Sequence, residues 1–137
     1  MTKKEVQQRV LKNGKPLDLD KFKWDKKTNA FSSKEGWLTL DFGDCAYCIF
    51  KTGTYCNFDT GSYCIFFTGS DCNFDTGTFC NFITGSDCTF KTGSRCTFKT
   101  GKDCVIIRRD IFEIIQPKKN EKIRLNGCGI KGFEIIK

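Results

Sequence analysis

The apolar and polar positions of the chain fall into a new pattern at residue 48. From Cys48 to Asp103 seven consecutive octads read C-x-F-x-T-G-x-x, from CIFKTGTY to CTFKTGKD. An eighth, CVIIRRDI from Cys104, keeps the spacing but loses Phe, Thr and Gly, and LDFGDCAY from Leu40 is a partial copy upstream. Cys and Phe stand two apart, so an extended chain puts both on the same side. One octad cannot bury them alone. Stacked coils can, with strands pairing in parallel about 4.8 Å apart. A helix is disfavoured, because Gly beside Thr in every second turn would weaken it. The predicted core ladder is therefore Cys48, Cys56, Cys64, Cys72, Cys80, Cys88, Cys96 and Cys104 with Phe50, Phe58, Phe66, Phe74, Phe82, Phe90 and Phe98. Gly is expected to supply positive φ at each corner, with Thr hydrogen-bonding beside it.

The variable positions set the number of octads per coil. The residue before each Cys and the two flanking each Phe are expected to point outward. Octads at 48, 64 and 80 give Tyr47, Ile49, Lys51; Tyr63, Ile65, Phe67; and Phe79, Asn81, Ile83. Octads at 56, 72 and 88 give Tyr55, Asn57, Asp59; Asp71, Asn73, Asp75; and Asp87, Thr89, Lys91. The first set is mostly apolar and the second mostly polar, so the true period is 16. A three-sided coil would mix the two sets on every face. This predicts an all-β, two-sided parallel β-solenoid with 16-residue coils, about four of them over roughly 20 Å.

Three regions follow: an N-terminal cap over 1–39, the repeat solenoid over 40–111 and a C-terminal β cap over 112–137. Residues 3–12 predict a short helix stopped by Asn13-Gly14, and KFKWD with DKKTNAF predicts a hairpin. DIFEIIQ and KIRLN around PKKNE predict another hairpin, with GCGIKGFEIIK as a last strand. Such caps cover edges that would otherwise invite further pairing.

Composition narrows the chemistry. The 137 residues contain 10 Cys, 14 Phe and no His. Without His, Ser–His and Cys–His nucleophiles and His-ligated metal sites are excluded. Cysteines at regular eight-residue spacing lack the close C-x-x-C pairs that gather on one ion. Neighbours on one face point the same way, which is poor disulfide geometry, so buried free thiols are expected. Cys45 and Cys128 lie outside the column and are the more reactive candidates. No cofactor is expected, and nothing forms a nucleophile–base–orienter arrangement, so the reading is not an enzyme.

The net charge of +7 sits at the ends: residues 1–40 carry 10 Lys/Arg against 5 acids, 41–103 carry 5 against 7, and 104–137 carry 8 against 4. That distribution fits solvated caps, and a nucleic-acid groove is not expected. The start lacks an apolar signal region and no run spans a membrane, so a reducing cytoplasm is the expected location.

The octads resemble the C-x-F-x-T-G repeat proteins of phage, large-virus and bacterial genomes, and CVIIRRDIFEIIQ…IRLNGCGIKGFEII is similar to the way those repeats close. The resemblance implies a β-solenoid and a viral or phage source, with a virion as one possible location, and it implies no catalytic residues.

Function is expected at the apolar outer set: Tyr47, Ile49, Tyr63, Ile65, Phe67, Phe79 and Ile83. Contiguous exposed apolar area marks an interaction surface, here for a second copy or a protein partner. The competing reading is cover by a flanking segment such as the N-terminal helix. Two further expectations concern ligands. The Thr column from Thr52 to Thr100 raises ice binding, and the basic ends raise polyanion binding. The acidic group Asp59, Asp71, Asp75, Asp87 and Asp103 reads as a solvated face.

Overall fold

The computed structural model describes residues 1–136. Helix α1 (Lys3–Gln7) opens on a capping box in which Thr2 and Glu5 bond each other's backbone. It is shorter than expected, because Val10 and Leu11 enter strand β1 (Val10–Lys12). Asn13 and Gly14, both at positive φ, form a two-residue hairpin turn into β2 (Lys15–Pro16). Asn-Gly between extended runs favours that hairpin over a helix stop.

A 3-10 turn at Leu19–Lys21 leads to the hairpin of β3 (Lys23–Asp25) and β4 (Ala30–Ser32), as predicted. From β4 the chain alternates between two sheets. The strands are β5 (Leu38–Asp41), β6 (Ile49–Lys51), β7 (Asn57–Asp59), β8 (Ile65–Phe67), β9 (Asn73–Asp75), β10 (Asn81–Ile83), β11 (Thr89–Thr92), β12 (Thr97–Lys99) and β13 (Val105–Arg108). The cap adds β14 (Ile114–Ile115), β15 (Ile123–Leu125) and β16 (Phe133–Ile135).

Sheet A orders as β14-β13-β11-β9-β7-β5-β1-β2 and sheet B as β16-β15-β12-β10-β8-β6-β4-β3. Within the repeat, partners are parallel and 16 residues apart, as in Phe66 with Phe82 and Phe74 with Phe90. The fold is a parallel β-solenoid of about five coils, one more than predicted. The extra coil is built by β4 and β5, which pair in parallel with β6 and β7 ahead of the first full octad. Its loops are longer than the repeat's, which hid it from the period. The expected hairpin around PKKNE does not form. Instead β14 pairs antiparallel with β13 in sheet A, and β15 pairs antiparallel with β12 in sheet B. Pro117-Lys118-Lys119 crosses between the sheets, and the closing hairpin is β15 with β16.

Every Phe and Cys of the ladder is buried. Phe rings stack within a sheet, 4.9 Å for Phe58 and Phe74, and meet edge-on between sheets, 5.2 Å for Phe66 and Phe74. Both arrangements suit the ring quadrupole. All ten cysteines are free. The thiols bind the coil below: Cys56 N–H donates to Cys72 Sγ at 3.4 Å, and the Cys72 thiol donates to the Gly53 carbonyl at 3.7 Å. Neighbouring thiols, and then burial, hold Cys48, Cys80 and Cys104 well above the ordinary thiol range.

The corners differ from expectation. Positive φ falls on the residue before each Cys: Tyr47, Tyr55, Tyr63, Asp71, Phe79, Asp87, Arg95 and Asp103 all lie near φ 58–61. The repeat glycines have ordinary φ and serve close approach instead. A Cβ on Gly61 would lie 2.6 Å from the Asp44 carbonyl, and one on Gly85 2.8 Å from the Ser70 nitrogen. Stacked glycines also bond one another, Gly85 N–H to the Gly69 carbonyl at 3.2 Å.

Candidate functional site

The outer surface of sheet B gathers the residues singled out from the sequence. Three columns run up the stack. The first is the corner column, where Tyr47, Tyr63 and Phe79 stack with centroids 5.0 Å apart. A left-handed backbone strains a bulky L residue, and ring-on-ring stacking offsets that cost. The second column holds half-buried Ile49 and Ile65, followed by Asn81 and Thr97. The third holds Lys51, Phe67, Ile83 and Lys99, with Phe67 and Ile83 exposed. All seven predicted residues therefore share one side of the solenoid.

Its rim is basic. Lys51 sits over the Phe67 ring at 5.6 Å, and Arg95 closes the aromatic stack over Phe79 at 5.9 Å. A shallow groove at the C-terminal side is lined by Tyr63, Phe79, Asn81, Arg95, Thr97 and Arg124. Helix α1 packs against β1, β3 and the 3-10 turn at the N-terminal end, away from these columns.

The outer surface of sheet A is polar. The Asn73 side-chain amide donates to Asn57 Oδ1 at 2.9 Å, and Asp41, Asp59 and Asp75 form one cross-strand column. Desolvation, then Asp75 and Asp41, raise the Asp59 carboxyl above its ordinary value. Arg109 reaches back across the stack to pair with Asp75 and the Thr76 carbonyl. The acidic group expected on one face divides in two: Asp59 and Asp75 lie on the sheet, while Asp71, Asp87 and Asp103 occupy the corner column. That corner begins with Trp37 and Tyr55, stacked at 4.1 Å; the sequence placed Tyr55 among the outward positions of the polar set and left Trp37 unassigned.

The Thr column turns inward. Thr60, Thr76, Thr92 and Thr100 are buried and the others half-buried, with hydroxyls of Thr52, Thr68, Thr84 and Thr100 on the following Gly carbonyls. Cys128 is exposed and Cys45 half-buried, whereas the ladder cysteines are buried.

One charged residue that sequence reading missed organises the cap. Arg108 is fully buried where the repeat would have Thr, and its guanidinium grips the Asp110 carboxylate at 2.7 Å and the Gly127 carbonyl at 3.0 Å. Burial alone would raise the Asp110 carboxyl. The Gly129 N–H, then Arg108, outweigh it and hold Asp110 below its usual value. An Arg at an inward Thr position was the available signal.

No match was found when the chain was compared with family models, with curated proteins and with solved structures. No helix among the described residues is long and apolar enough to cross a membrane.

Proposed function

We propose that this chain is a non-enzymatic assembly module that associates with a second copy through the outer surface of sheet B. The observation that carries the reading is the uncovered three-column surface of Tyr47, Tyr63, Phe79, Ile49, Ile65, Phe67 and Ile83. The corner stack enlarges it beyond a flat sheet, to roughly 1,000 Å² counting both copies, which is at the threshold for a specific interface. Basic rims would meet in such a pair, but exposed charges cost only about 0.2–1 kcal/mol each and are screened by salt.

The test is the solution mass of the Ile65→Lys and Phe67→Lys variants, measured at rising salt. Self-association through this face predicts that the parent's mass rises with salt and that both variants lose mass while staying folded. Variants that keep the parent's mass would remove the proposal. The basic rim also favours polyanion binding, which has the opposite signature and weakens steeply with salt. The inward Thr column offers ice no exposed rank of hydroxyls.

A further inference from the structure

The two ends of the stack are built differently. At the N-terminal end the edge strands carry Lys15-Pro16 and Lys23-Trp24-Asp25. Proline lacks a donor, and charged edges oppose strand addition. Past the fifth coil, sheet B continues by two strands, β15 and β16, and sheet A by one, β14. Phe133 and Ile135 pair with Leu125 and Ile123, both buried, so they share the core side of sheet B. Yet Phe133 is 40% and Ile135 54% exposed, because nothing described lies over them. Ile130 at 59% and Phe112 at 85% stand in loops of the same end, and Ile114 at 68%, opposite Ile107, faces outward from sheet A there.

We propose that this C-terminal end pairs with the same end of a second copy, through the open edges of β14 and β16. Two arguments select that occupant. Five apolar residues expose roughly 500 Å² per copy, so two copies reach about 1,000 Å² before backbone hydrogen bonds are added, enough for a specific dimer. The blunted N-terminal edges refuse the head-to-tail contact that would propagate, which leaves the two-fold contact of like ends. These residues are separate from the outer surface of sheet B, so either contact can exist without the other.

Hydrogen exchange separates the two contacts, because only strand pairing protects edge amides. Amides over 112–116 and 131–136 are to be compared at concentrations below and above assembly, with the mass from light scattering. The expected result is at least tenfold slower exchange on assembly, a protection that Ile135→Lys loses together with half the mass and that Phe67→Lys keeps although its own mass falls. Ile114→Lys on the neighbouring edge is expected to act like Ile135→Lys, and supplies the test if that variant misfolds. Equal exchange at both concentrations, or a folded Ile114→Lys protein with mass and protection unchanged, would overturn the proposal.

Discussion

The outer surfaces of sheets A and B share one backbone geometry, one register and one core ladder, yet they present opposite chemistry. Sheet B shows stacked rings and Ile beneath a thin basic rim; sheet A shows an Asn pair and an Asp column in which burial, then the neighbouring carboxylates, raise Asp59. The difference teaches that folding is carried by the inward Cys, Phe and Thr of each octad, while the outward positions on the strands are free to vary. A face that costs solubility and is kept on only one of two equivalent sides is the place to look for function.

The largest effects lie in the core that the two faces share. Phe66→Ala in sheet B and Phe74→Ala in sheet A should each cost about 3–5 kcal/mol in urea unfolding, and by similar amounts. A difference well beyond the spread of such measurements would mean that the faces differ beneath as well as above. Arg108→Ala should cost as much, about 3–5 kcal/mol, since it strands Asp110 and two loop carbonyls around a buried void. Gly85→Ala should cost about 1–3 kcal/mol through its clash with Ser70, although its φ is ordinary. Asp87→Gly, at positive φ, should by contrast be neutral or stabilising by up to about 1 kcal/mol.

The smallest effects lie on the polar face and in the thiols. Asp59→Asn should raise the thermal midpoint slightly at neutral pH, because it removes like-charge repulsion within the Asp column. The raised thiols Cys48, Cys80 and Cys104 favour the folded state while neutral. Their contribution is complete below the ordinary thiol pKa of about 8.5 and fades as pH rises above it. Midpoints measured from pH 7 to 10 in reductant should therefore fall less steeply in Cys104→Ala than in the parent.

Much of this architecture was legible in the spacing of residues. Cys and Phe two apart announced strands, and the alternation of Ile65-Phe67 with Asn73-Asp75 announced two sheets and a 16-residue coil. The left-handed corners were hardly legible, because Tyr, Phe and Arg carry no mark for positive φ and only Asp71, Asp87 and Asp103 are of a type that tolerates it. Gly drew that role on conformational grounds, when the constraint is the close approach of the coil below. Val10-Leu11-Lys12 suits either a helix or a hairpin, and only pairing with Leu38–Leu40 decides it. The exposed end at Phe133 and Ile135 was hidden for a related reason: a strand's pattern does not say whether another layer follows.

The most direct test of the sheet B surface is the solution mass of the Ile135→Lys protein, by light scattering with reductant present and salt raised from about 0.05 to 0.5 M. With the end contact removed, association through the sheet B face predicts a mass of two chains that strengthens with salt. A single-chain mass at every salt and concentration would contradict the account.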